Sequence, residues 1–120
     1  MKEAGARPDA ALADNARRMK TSERISRLAD QIESVLDSHR KASADPQAMA
    51  QLRAAAAELG ASDAYTSGRL VELMGKAQIF YSARGFFRLP GQSQRLYGDM
   101  RHELLDRIRM RARVLASQGD

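Results

Sequence analysis

The sequence has no cysteine and no tryptophan. Without thiols, disulfides and thiolate metal sites are excluded, and a reducing compartment is allowed. Aromatic residues are scarce at 5%, and no tract of Val, Ile and Thr marks a strand. No run approaches the ~18 apolar residues of a membrane span. Residues 1–20 lack the apolar stretch of a secretory signal, so the expected compartment is the cytoplasm. The phosphate-binding patterns GxxxxGK[ST] and GxGxxG are missing. No serine sits in a motif that places a His or Lys beside it, so nucleophilic catalysis has no visible seat.

What is present favours helix. Hydrophobic residues make up 43% of the 120 positions, and Ala and Leu supply most of them. Both are strong helix formers, as are the abundant Arg, Met, Glu and Gln. The length suits one domain with a modest core. The net charge of +5 is uneven. Residues 1–60 carry ten basic and nine acidic side chains, whereas residues 61–120 carry ten and six. The surplus lies mainly between Arg84 and Arg113, and such a bias attracts phosphate, an acidic membrane surface or an acidic protein.

Taken in order, residues 1–8 are polar, with Gly5 and Pro8, and are expected to be disordered. Helical spacing begins near Asp9 with Leu12, Ala16 and Met19. It resumes out of phase with Ile25, Leu28, Ile32, Val35 and Leu36, so a kink near Lys20–Ser22 is one reading and a helix facing two neighbours is the other. The first helix should end near His39–Lys41, whose cations suit the negative end of a helix dipole. Asp45-Pro46 is the cleanest helix start, with Asp45 as cap and Pro46 at the first helical position. Met49, Leu52, Ala56 and Leu59 form the stripe of the second helix, closed by Gly60. Ser62 or Ser67 starts the third, whose apolar face includes Leu70, Leu73, Met74, Ala77, Phe80 and Tyr81. Gly68, Gly75 and Ser82 recur at sevens beside it. Either another helix approaches closely there, or the glycines are merely tolerated.

Five of the six aromatics fall in or beside Ile79–Gln94. Gly85 is expected to stop the third helix, with Phe86 folding back on Tyr81. Phe86, Phe87 and Leu89 then read as a wedge between the last two helices, or as a protein-docking patch if they are exposed. Pro90-Gly91 suits a type II turn, and Ser93 a cap for the fourth helix. That helix should run to about Ala116, with residues 117–120 frayed. The fold expected is all-α: a small antiparallel bundle of four helices over residues 9–116, the first and last longest. The runner-up is a three-helix core with an N-terminal helical arm.

Functional signals are few. His39 is explained by the helix dipole. Asp99, His102, Glu103 and Asp106 supply half of a bundle metal motif, but the third helix offers only Glu72 in return. A solvated charged face is the simpler reading, so no metal, cofactor or catalytic residue is assigned. Arg107, Arg109, Arg111 and Arg113 cover a wide arc of the last helix, which Arg84, Arg88 and Arg95 extend if the corner folds alongside. They offer a surface for nucleic acid or an acidic partner, against the simpler reading of cations at a helix C-terminus. The functional expectation is a non-enzymatic protein–protein interaction or regulatory module that self-associates or binds a partner, with a homodimer through helix one as one route. A nucleic-acid-associated protein is the first alternative, and an enzyme with an unrecognised site in the bundle the second.

Overall fold

The computed structural model describes residues 19–59, 62–83 and 91–120. They form α1 (Thr21–Ser38), α2 (Pro46–Leu59), α3 (Ala64–Phe80) and a long α4 spanning residues 92–117. Within α4, α-helical Gln92–Gly98 and Leu105–Ser117 flank a π-helical segment, Asp99–Leu104. No strand occurs among the described residues.

Cross-helix bonds fix the topology. The Ser22 N–H at the start of α1 donates to the Asp120 carbonyl after α4, at 2.9 Å, while the Tyr97 hydroxyl near the start of α4 donates to the Leu36 carbonyl at the end of α1, at 2.7 Å. These two helices therefore run antiparallel. Lys76–Asp99 and Arg111–Asp63 set α3 antiparallel to α4 in the same way. Arg24 reaches the Glu58 and Leu59 carbonyls, and His39 meets Asp45, so α2 is antiparallel to α1. The Asp45 N–H donates to the Tyr81 carbonyl, which joins the start of α2 to the end of α3. The result is an up-down-up-down four-helix bundle, not a three-helix core.

The core follows the periodicity. Ile25, Leu28, Ala29, Ile32 and Leu36 of α1 are all at most 3% exposed, and α2 and α4 cover them. The stripe offered for a homodimer through helix one is thus already buried within the chain. Leu73 and Phe80 of α3 and Met100, Leu105 and Ile108 of α4 belong to the same buried cluster. In α4 the apolar residues Leu96, Met100, Leu104, Ile108 and Ala112 recur at fours. In a 3.6-residue helix each such step drifts by about 40°. The wider π turn through Asp99–Leu104 takes back part of that drift and keeps the stripe on the core.

Helix ends depart from the sequence reading in several places. Lys20 is extended (φ −65°, ψ 154°) and α1 starts after it, at Thr21. Leu12 and Ala16 lie outside the described residues, as does Gly60. The cap of α3 is neither Ser62 nor Ser67 but Asp63, whose carboxylate accepts from the Thr66 N–H at 3.0 Å and from its hydroxyl at 2.7 Å. α3 ends at Phe80, before Gly85, because Tyr81 turns inward and bonds to the α1–α2 connection. Ser93 does not cap α4. Gly91 occupies that position with φ 87° and ψ −18°, the geometry of the third residue of a type II turn, and its carbonyl accepts from the Arg95 N–H. Gly68 and Gly75 bring no neighbour close, since a Cβ at either would meet nothing within 4 Å. Gly119 (φ 85°) lets its own N–H bond to the Ala116 carbonyl and that of Asp120 to the Leu115 carbonyl, the paired bonds of a Schellman ending.

Candidate interaction surfaces

The arginines of α4 are the leading candidates from the sequence, and the bundle gives most of them acidic partners. Arg109 splays toward α1 and holds Asp30 at 2.8 Å together with Glu33. Arg101, about two turns earlier, grips Asp37 at 2.8 Å and reaches Glu33. Arg111 points the other way, to Asp63 at the start of α3, at 2.9 Å. Arg107 pairs with Glu103 on its own helix at 3.0 Å. Arg107 to Arg113 are therefore spread over three sides rather than gathered on one face. Arg95 and Arg113 are exposed. Arg84 and Arg88 lie outside the described residues.

The Asp63–Arg111 pair carries the strongest electrostatics. The Asp63 side chain is only 9% exposed. The Arg111 guanidinium holds its carboxyl down to about 2, and the bonds from Thr66 add to this against the opposing effect of burial. Arg111 also lies over the Tyr65 ring, as does Arg69, so this half-exposed tyrosine is a platform for two cations.

At the opposite end, two tyrosines close α1. A helix leaves its last carbonyls without internal partners. Tyr97 supplies a donor for Leu36, and Tyr81 donates to the His39 carbonyl at 2.6 Å. His39 Nδ1 lies 2.7 Å from Asp45 Oδ2. Asp45 caps α2 through the Ala48 N–H, a bond that holds its carboxyl below the usual range; the carboxylate is ionised, so the imidazole is the donor. His39 thus joins two helix ends, a tertiary role beyond the dipole account. Burial pushes the hydroxyl groups of both Tyr81 and Tyr97 up from the usual tyrosine range.

The seam between α2 and α3 is different. The other three seams are laced by side-chain hydrogen bonds or ion pairs, but among the described residues none of those pairs crosses from α2 to α3 along their length. An open cleft of about 540 Å³ lies there. Met49 and Leu70, 7% and 6% exposed, form its floor. Ala56 and Met74 are its half-buried walls. Val71 stands on the lip at 74% exposure, the highest among the exposed large apolar side chains. Arg53 is the one charged residue lining the cleft among the described residues. The sequence does not single out this surface: Met49, Ala56, Leu70 and Met74 read as ordinary stripe, Val71 belongs to no stripe, and only the packing of α2 beside α3 brings them to one cleft.

The remaining candidates separate. Asp99 is spent on Lys76 at 3.2 Å, and Glu103 on Arg107. His102 and Asp106 are exposed. Among the described residues no three His, Asp or Glu side chains gather around one metal position. Phe86, Phe87 and Leu89, the wedge or docking patch of the sequence reading, lie outside the described residues. No helix among those described is long and apolar enough to cross a membrane. No family model, curated protein or solved structure matches the chain.

Proposed function

We propose that this chain is a non-catalytic helical interaction module that holds another protein in the cleft between α2 and α3. One observation carries this reading. Three seams of the bundle carry polar latches, whereas among the described residues the α2–α3 seam carries none, and its cleft is mainly apolar, with Val71 at the lip. Exposed apolar side chains that line a concave strip are suited to docking. The nucleic-acid alternative gains less support, because Arg101, Arg109 and Arg111 are occupied by carboxylates of α1 and of the α3 cap. Phosphate binding would have to compete with those pairs.

Selection of helical peptides from a displayed library against the folded chain tests the proposal. Selected peptides should shift the amide resonances of residues 49–56 and 67–78, and Val71→Asp should abolish their binding while leaving the fold intact. Peptides that instead shift α4, or a library that yields no binder dependent on Val71, would overturn it.

A further inference from the structure

The cleft's chemistry selects its occupant. We infer that the α2–α3 cleft takes a single amphipathic helix of a partner protein, bearing acidic residues beside its apolar stripe. The inference rests on the docking reading above and deepens it.

Size is the first argument. Nine of the described residues line the cleft, whereas a standard protein–protein interface engages roughly 20–30 residues a side. A second copy of this chain would need a far larger surface. One helix needs only a groove that receives three or four apolar anchors at i, i+3, i+4 and i+7.

Shape is the second. Gly75 lies on the α3 wall, with open space where a Cβ would stand. Ala56 is on the α2 wall, and the neighbouring outer positions Ala50 and Ala57 are exposed and small. Low walls let a helix backbone sink toward the floor formed by Met49 and Leu70. Met74 adds an adaptable side chain that can repack around an apolar anchor.

Charge decides the partner's character. Arg53 lines the cleft, and among the described residues no carboxylate lines it or pairs with Arg53. Glu72, the acid of α3, is engaged by Arg69 at 3.0 Å. The whole chain carries +5. A second copy would bring another Arg53 and another five positive charges to the contact. An acidic helix would instead give Arg53 a partner and be drawn in by the overall field.

Two designed helical peptides of equal length test this, both with Leu at i, i+3, i+4 and i+7. One carries Glu at the flanking positions and the other Lys. Isothermal titration and amide shifts are read at low salt. The Glu peptide should bind about two- to fivefold more tightly, the scale of one exposed ion pair, with shifts on residues 49–78. Arg53→Glu should invert the order; Arg53 is exposed and outside the core, so this variant folds. Val71→Asp should weaken both peptides. If both bind the cleft equally and Arg53→Glu changes nothing, the acidic inference fails while the docking reading stands. If neither shifts the cleft, both fail. If the chain alone dimerises in sedimentation and Val71→Asp abolishes that, the occupant is a second copy and the inference is overturned.

Discussion

Replacing Asp63 should reveal how much of the bundle hangs on one carboxylate. It caps α3 through Thr66 and receives the Arg111 guanidinium from α4. Its carboxyl lies near 2 against the ordinary 3.8, and each pKa unit corresponds to about 1.4 kcal/mol. The charged form therefore contributes about 2 kcal/mol to stability at neutral pH. A depressed carboxyl pKa stabilises above the unfolded value and loses that contribution as pH falls toward the folded one. The contribution should thus be full above about pH 5 and fade between about pH 4 and pH 2. Asp63→Ala removes cap and ion pair and should lower unfolding free energy by about 2–3 kcal/mol at pH 7. Asp63→Asn keeps a competent cap but loses the charge, and should cost about 2 kcal/mol at pH 7. Urea denaturation by circular dichroism, repeated in steps from neutral pH into the acid range, measures both. The stabilities of the wild type and of the Asp63→Asn variant should converge as pH falls. A gap that is independent of pH, or an Asp63→Ala loss under about 0.5 kcal/mol, would refute the assignment of this pair as a joint between α3 and α4.

Other outcomes follow from the same geometry. Tyr97→Phe keeps the ring but leaves the Leu36 carbonyl with only the 3.3 Å bond from the His39 N–H, and Tyr81→Phe leaves the His39 carbonyl without its donor; each should lose about 1 kcal/mol in chemical denaturation. Burial raises both hydroxyl pKa values, so their contribution is present below the unfolded tyrosine value near 10 and is lost as pH rises beyond it. The double Phe variant should therefore show a flatter alkaline limb, read as Tm against pH. Gly75→Ala meets no neighbour and should stabilise α3 by up to about 1 kcal/mol, while raising a wall of the cleft and weakening the peptide titration. Gly91→Ala forces a left-handed conformation on a residue with a Cβ and should destabilise by about 1 kcal/mol.

Read by itself, the chain determined its class and its core. Apolar spacing named nearly every buried residue of α1, because a 3.6-residue period leaves only one face to hide. Asp45-Pro46 set the start of α2, because a cap bond spans three residues and depends on nothing else. The Asp63–Thr66 cap was equally local, yet two nearby serines masked it. What the tertiary structure decided are the contacts between residues far apart in sequence. Asp120 completes the start of α1, Tyr97 and Tyr81 complete its end, and Arg24 completes the end of α2. Periodicity carries no information about which orphan carbonyl a distant hydroxyl will meet. The arginines show the same limit: sequence displays a charged arc, but only helix packing divides it among Asp30, Glu33, Asp37 and Asp63. The cleft, too, exists only in the packed bundle, where residues of α2 and α3 line it together. A residue's burial pattern is written in its neighbours along the chain, whereas the gap between two helices depends on how all four pack.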